Sequence, residues 1–447
     1  LIWQVVCWIR PQQGLCKYER IMTNQLLQQV RVLDPVSATD RVADVLIVNG
    51  TIEAIADSIA DWPADTDVRD SRGLVLGPGL VDLYSHSGEP GFEDRETLRS
   101  LQKAAIAGGF TRITILPDTA PALDNPAGLA WLQDKRQLQL PVQIQAWGAL
   151  TLGVQGQQMT ELAELADAGI VGFTDGQPIA SYGLLRRLLE YLQPLQKPVA
   201  LWPCDLKLAG NGVMREGPES IRFGLPGNPA IAETTALAAL LELVAAVGTP
   251  VHIMRVSTAR SVELIQAAKQ QGLPVTASTT WMHLLLNSQA IQSYDPNLRL
   301  EPPLGNPSDQ AALIDGIKQG VLDAIAIDHS PYTYEEKTVA FAEAPPGAIG
   351  LELALPLLWQ RFVASDEWSA LELWQALSRN PARCLQQPIA AVKPGQAAEL
   401  ALFNPSQPWV VNGQSLKSLS INTPWLGQEL LGQTVQTWCP RTSSRTE

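Results

Sequence analysis

Between residues 25 and 60 apolar and polar positions alternate with a period of two. The runs are Gln25 to Leu33, Val42 to Val48 and Thr51 to Ala56, and this alternation predicts short, half-buried strands. Asn49-Gly50 between the last two is the dipeptide that a two-residue hairpin turn prefers, because both positions need a positive φ. Similar runs return at Ala398–Phe403 and Leu431–Thr437. Strand-like ends around a middle of different period predict one small sheet closed by both termini.

From Leu74 to Leu377 the pattern changes to short β-rich runs that alternate with Ala/Leu-rich stretches, as expected of repeated βα units. The stretch Gly73–Gly91 is an unbroken apolar run interrupted only by Gly and Pro, reading as a buried parallel strand that delivers Asp82 and His86 near its carboxyl end. Further strands are predicted at Thr111–Leu116, Val142–Trp147, Ile170–Phe173, Val199–Trp202, Val251–Val256, Val275–Thr279 and Ala324–Ile327, making eight. Helices are clearest at Arg95–Ala107, Gln158–Ala168, Ala232–Val247 and Ala259–Gln270, each with apolar residues three or four apart. Ser257-Thr258 supplies an N-cap to the last, and Gly272-Leu273-Pro274 stops it. The expectation is an α/β chain: a (β/α)8 TIM barrel at 71–395, with a small β-sandwich domain from 22–70 and 396–447. Two long Gly/Pro-rich loops, Pro203–Ile231 and Ser330–Gly350, are expected over the barrel mouth, where such barrels keep their chemistry.

Composition narrows the function. The 447 residues carry a formal charge of −13 with Lys and Arg scattered, which excludes the clustered basic face of a nucleic-acid binder. Cys7, Cys16, Cys204, Cys384 and Cys439 lie too far apart for a thiolate zinc site and read as reduced thiols in the cytoplasm. Leu1–Ile9 is apolar but too short to span a bilayer, so no membrane association is expected. Residues 1–21 fit nothing that follows, and Met22 resembles a translational start. They read as a gene-start artefact or a disordered tail.

The run Pro78-Gly79-x-x-Asp82-x-Tyr84-x-His86-x-Gly88-Glu89-Pro90-Gly91 resembles the first barrel strand of the dihydroorotases, in the cyclic amidohydrolase branch of the metal-dependent amidohydrolases. Their version reads Pro-Gly-x-x-Asp-x-His-x-His-x-Arg-Glu-Pro-Gly. Gly108-Gly109-Phe110-Thr111, Leu116-Pro117-Asp118-Thr119, Gly212 to Gly217, Val256-Ser257-Thr258, Asp328-His329-Ser330-Pro331 and Asn422-Thr423-Pro424 continue the likeness in family order. The resemblance implies the same barrel and two-ended small domain. It also implies a pair of metal ions at the mouth that polarise an amide carbonyl and lower the pKa of a bridging water.

Carried over position by position, that ligand set is incomplete. His86 and Asp328 are retained, Asp328 also being the proton shuttle of an active enzyme, and Asp175 in Phe173-Thr174-Asp175-Gly176 is available after strand 4. Tyr84 stands at the first histidine, Trp202 at the histidine after strand 5, and Arg255 at the histidine after strand 6. An indole offers no usable lone pair, a phenol is a poor ligand unless ionised, and a guanidinium cannot deprotonate. A cation about 4.5 Å from a divalent ion is repelled by roughly 7 kcal/mol at an effective dielectric near 20. The substrate positions change too: Gly88 replaces the carboxylate-binding Arg, Asp118 an Asn, and Glu301 and Gly305 the polar ends of an Asn-Pro-Pro-Leu-Arg segment.

These substitutions predict a protein without metal or cofactor, in which Arg255 pairs with Asp175 or Asp328 while Tyr84 and Trp202 fill the vacated volume. The resemblance supplies a role: a non-catalytic structural partner of aspartate carbamoyltransferase in pyrimidine synthesis, with self-association as a further possibility. The competing reading is an active cyclic amidase that closes carbamoyl aspartate to dihydroorotate on a single zinc held by His86, Asp175 and Asp328. Among the remaining histidines, His252 in its apolar run reads as a satisfied core residue, His283 as packing or site lining, and His329 as a residue of the mouth. Trp359, Trp368 and Trp374 read as core or interface anchors.

Overall fold

The computed structural model describes residues 24–137 and 141–440; the predicted extension 1–21 lies outside them. Five strands come first: β1 (Gln25–Asp34), β2 (Thr39–Val48), β3 (Thr51–Ala56), β4 (Asp67–Asp70) and β5 (Val75–Pro78). Then follow β6 (Leu80–Ser85), β7 (Phe110–Ile115), β8 (Gln143–Gly148), β9 (Gly172–Phe173), β10 (Ala200–Leu201), β11 (Met214–Arg215), β12 (Gly227–Asn228), β13 (Val251–Ile253), β14 (Val275–Thr280) and β15 (Ala324–Ala326). The chain ends with β16 (Leu400–Val410) and β17 (Glu429–Trp438).

Both ends build one sheet of seven strands in the order β17-β16-β5-β1-β2-β3, with β4 beside β1. The β2–β3 hairpin turns at Asn49 and Gly50, which have φ of 50° and 74°; the sequence supplies the residues that tolerate this region. The alternating apolar positions Val30, Val32, Val45 and Ile47 meet Leu76, Leu400 and Leu402 in an apolar cluster of their own.

The eight predicted barrel strands are β6 to β10 and β13 to β15, forming two four-stranded parallel sheets. A parallel bridge between Phe173 and Val199 joins them on one side. On the other, Asp328 N–H donates to Tyr84 O at 3.1 Å and His86 N–H to His329 O at 2.8 Å, closing the ring. The closure places Tyr84, His86 and Asp328 side by side at the carboxyl ends of β6 and β15.

The stretch Gly73–Gly91, expected as one barrel strand, is divided at Gly79. Val75–Pro78 pairs antiparallel with β16 and parallel with β1, so it belongs to the small sheet and the barrel begins at Leu80, not at 71. A Cβ at Gly79 would lie 2.2 Å from Thr111 Cγ2, which is why the crossing between the two sheets is a glycine. The junction is clamped by Glu399, whose carboxylate accepts from Arg112 Nε and Nη2 at 2.6 Å each and from Thr111 Oγ1 at 2.9 Å.

Helices Ile231–Val247 and Ala259–Gln270 lie within a residue of expectation, the latter capped by Thr258 Oγ1 accepting from Ser261 N–H. The helix expected at Gln158–Ala168 is only Leu162–Asp167. Its first turn is diverted by the Thr151–Met159 bridge and by Thr160 Oγ1 donating to Ala149 O, local bonds with which Thr competes against helix. Trp359, Trp368 and Trp374 are buried, and Trp374 Nε1 donates to Pro78 O at 3.0 Å, tying the late helical region to the domain junction. The described residues include no helix long and apolar enough to cross a membrane.

Candidate functional site

The two long loops stand where expected. Pro203–Ile231 carries short helices Leu206–Ala209 and Pro218–Phe223 with the β11–β12 pair, and Ser330–Gly350 carries Tyr334–Lys337. A cleft opens at the mouth beside the second of these loops, lined among others by His86, Asp118, Trp202, Arg255, Asp328 and Tyr332.

Arg255 is the centre of this cleft. Its Nε and Nη2 donate to Asp328 Oδ2 and Oδ1 at 2.9 and 2.7 Å, its Nη1 to Gly176 O at 2.9 Å, and its Nη2 contacts His86 Nε2 at 3.2 Å. The guanidinium lies 4.9 Å from the Trp202 ring centroid and 5.7 Å from that of Tyr84, where aromatic faces attract a cation. Burial works against the charge on Arg255, but the Asp328 carboxylate outweighs it and moves the pKa above the ordinary arginine value. Arg255 and Asp328 both adopt left-handed backbone, φ 54° and 51°. That conformation is costly for a long side chain and is found where surroundings over-determine it.

The other two substituted ligand positions are equally engaged. Tyr84 is fully buried; its hydroxyl lies 3.0 Å from Ser278 Oγ and accepts from Arg255 N–H at 3.1 Å. Burial, then the nearby Asp328 charge, raise its pKa further above that of a free phenol, so the phenolate that could bind a metal is disfavoured. Trp202 is buried against Arg255 as the volume argument expects.

His86 Nδ1 lies 2.6 Å from Asp118 Oδ2. Burial disfavours the imidazolium, yet Asp118 more than offsets it and the His86 pKa is raised; Asp118 is correspondingly lowered despite its burial. Because Arg255 can only donate, its contact with Nε2 needs that nitrogen as acceptor. In the neutral ring this contact fixes the proton on Nδ1, directed at Asp118.

Of the three retained positions, the structure unites His86 and Asp328, with Nε2 and Oδ1 3.7 Å apart, but not Asp175. That carboxylate accepts from the backbone N–H groups of Leu150 and Thr151 at 2.8 and 3.0 Å and from Thr151 Oγ1 at 2.6 Å. Of the two pairings expected for Arg255, the one with Asp328 forms. The segment of Asp175 contributes the carbonyl of Gly176 instead. Among the described residues no group of three or more His, Cys, Asp and Glu side chains is arranged to hold a metal ion.

The substituted substrate positions have structural reasons. A Cβ on Gly88 would meet Glu96 O at 2.4 Å and Phe92 O at 2.5 Å, and one on Gly305 would meet Asp309 Cβ at 2.6 Å. Glu301 lines the cleft and approaches Arg299 Nη2 at 3.4 Å. His252 is a satisfied core residue, 2.9 Å from Thr276 Oγ1 and Ser278 Oγ. His283 lines the cleft with Nδ1 2.7 Å from Thr280 Oγ1. His329 turns inward, accepting from Gly350 N–H on Nδ1 at 3.1 Å.

Sequence reasoning missed Arg95, which lines the cleft, lies 4.2 Å from the Phe92 ring and 5.0 Å from the Tyr332 ring, and pairs with Glu336 at 2.5 Å. The only local signal was an Arg seven residues beyond a lost one. Arg215 falls within the Gly212–Gly217 stretch of the likeness, where nothing in the sequence marks it as a buried residue.

Comparison with known proteins supports the family resemblance and the fold. Residues 73–261 match the family described as Dihydro-orotase-like, and residues 212–439 match the Amidohydrolase family. The chain is 47% identical over 443 residues to a "Probable dihydroorotase-like protein" of Synechocystis sp., covering 93% of this chain and 99% of that one. It is 37% identical over 415 residues to a dihydroorotase of Pelobacter propionicus, covering 93% and 97%. Among solved structures, the L-hydantoinase (dihydropyrimidinase) of Arthrobacter aurescens superposes with a TM-score of 0.80 at 22% identity, over 93% of this chain and 94% of the other. That likeness shows the barrel fold.

Proposed function

The chain belongs to the dihydroorotase-like family of amidohydrolases, and from that premise we propose that it has lost the family's metal centre and acts as a non-catalytic structural partner of aspartate carbamoyltransferase. The observation that carries this reading is the position of Arg255. Its guanidinium takes both Asp328 oxygens and faces the one His86 lone pair a metal could use. The donor set does not fit a pair of metal ions. Two positions carry an indole and a buried neutral phenol, a third carries a permanent cation, and Asp175 is spent on backbone amides.

The substrate contacts point the same way. Asp118 has its carboxylate on His86, and as an anion it opposes the carboxylates of carbamoyl aspartate. Gly88 cannot become an anchoring Arg without moving the turn around it. A protein freed from turnover keeps its barrel, because a bidentate Arg–Asp pair and ring packing hold the ligand-bearing strand ends together.

The test combines metal analysis of purified protein, an assay of dihydroorotate ring opening and closure, and co-purification with aspartate carbamoyltransferase. Absent zinc, absent turnover and a stable complex are expected. Stoichiometric zinc with turnover would overturn the loss of catalysis and favour the single-zinc amidase instead. A monodisperse protein that ignores the carbamoyltransferase would overturn the partnership alone.

A further inference from the structure

The connection between β16 and β17, residues 411–428, leaves the small sheet and crosses to the barrel mouth. Its Asn422 holds the loop Ser330–Gly350. Asn422 Nδ2 donates to Ser330 O at 2.9 Å, its Oδ1 accepts from Tyr332 N–H at 3.2 Å, and its carbonyl accepts from Ile349 N–H at 3.1 Å. Ser330, Tyr332 and Ala348 line the cleft, so the connection is a strap behind one wall of the mouth. Trp425 of the same strap packs on Trp281, another residue of the cleft lining, with ring centroids 5.1 Å apart.

Two carboxylates grip this strap at one residue, Ser418. Glu352 accepts from the N–H groups of Lys417 and Ser418 at 2.8 and 3.1 Å, and Glu96 accepts from the Ser418 hydroxyl and from Leu419 N–H at 3.3 Å. Glu96 is fully buried and Glu352 partly so. Among the described residues, the charged and titratable groups facing the pair are His329, whose Nε2 lies 3.5 Å from Glu96, and Lys417 on the strap itself. Arg95, next to Glu96 in sequence, is turned to Glu336. When two carboxylates share a sheltered site, one of them keeps its proton. Here burial foremost, with the Glu96 charge adding to it, pushes the Glu352 pKa up to about 7.

We propose that Glu96 and Glu352 form a proton-operated latch: with Glu352 protonated the strap is docked and the mouth wall fixed, and loss of that proton loosens the strap and, through Asn422, the loop Ser330–Gly350. The latch does not depend on the proposed partnership. An exposed glutamate titrates near 4.3, whereas docked Glu352 keeps its proton to about pH 7. Docking is therefore strongest below about pH 4.3, weakens by up to about tenfold per pH unit as the pH rises to 7, and is constant beyond.

The test is hydrogen exchange of the full-length protein, followed by mass spectrometry from pH 5 to 8 and corrected for the intrinsic rate. Protection of peptides covering 412–428 and 330–350 is expected to fall at least about tenfold between pH 5 and 7 and to level off above it. Glu352→Gln keeps an oxygen for the Lys417 and Ser418 amides and carries no charge, so it should retain full protection throughout. Should that variant fail to fold, the profile of the unaltered protein decides alone. Strap peptides whose protection ignores pH, strap peptides that exchange only together with β1 and β2 as the whole chain unfolds, or an unchanged slope in folded Glu352→Gln would each overturn the latch. A strap that responds while the loop peptides do not would overturn the coupling through Asn422.

Discussion

Arg255 and Asp328 meet side-on through two parallel hydrogen bonds of 2.9 and 2.7 Å, across the ends of strands whose residues are 73 apart in sequence. The pair is nearly withdrawn from water, with side-chain exposures of 4% and 14%. Removing one member strands the other, so Arg255→Met is expected to cost about 3–5 kcal/mol of stability. The double variant Arg255→Met/Asp328→Asn should recover much of that loss, because no uncompensated charge remains. Urea denaturation of the two singles and the double gives the coupling energy; additive effects would show that the pair is not the unit that holds the mouth.

Restoring imidazoles tests the lost metal site from the other direction. With Tyr84→His, Trp202→His and Arg255→His together, His86 and Asp328 regain company of the right chemistry, and zinc uptake is expected in the variant and not in the parent. Ring-opening activity should not return with it, because Asp118 and Gly88 still lack the contacts for an anionic substrate. Metal analysis after dialysis against zinc reads the first point and a turnover assay the second. Turnover in this variant would mean that substrate positions matter less than the metal ligands.

Much of this arrangement was legible in the chain. Eight short β-rich runs alternating with Ala/Leu-rich stretches marked the barrel strands, the pattern of repeated βα units. Tyr84, Trp202 and Arg255 were legible only through the resemblance, as the residues standing where it implies histidine ligands. The partner of Arg255 was not legible, because Asp175 is turned away by backbone amides 24 and 25 residues earlier, and no local signal encodes that contact. The division at Gly79 was hidden for a related reason. Val75–Pro78 and Leu80–Ser85 form one continuous apolar run, and only pairing with Leu400–Val410, far along the chain, assigns them to different sheets. Arg95 and Glu336, 241 residues apart, illustrate the same limit.

Gly88→Arg restores the residue of the resembling family at a position that can no longer accept it. Its Cβ would fall 2.4 Å from Glu96 O and 2.5 Å from Phe92 O, backbone atoms that cannot rotate away. The turn must shift, with an expected cost of about 1–3 kcal/mol as in other overpacked sites. Thermal or chemical denaturation checks this against Gly88→Ala, which should show most of the same loss. A neutral Gly88→Arg would mean that the Phe92–Glu96 turn moves freely.

Acid should weaken the fold through two buried histidines. Burial pushes the His252 pKa down to about 3 and, with help from Arg215, that of His283 down to about 4. An unfolded histidine titrates near 6.5. Below that value the unfolded chain therefore binds protons that the folded chain refuses, and each group removes up to about 1.4 kcal/mol of stability per pH unit until its folded pKa is reached. Asp82 works in the opposite sense. Burial raises its pKa to about 7, so between about pH 4 and 7 the folded state holds the extra proton and stability falls as pH rises. His252→Gln, which can still bond Thr276 and Ser278, should flatten the acid loss between about pH 6 and 4, whereas Asp82→Asn should steepen it by removing the compensating term. Urea midpoints across that range decide the matter: if both variants keep the parent's slope, the pH dependence arises elsewhere than in these buried groups.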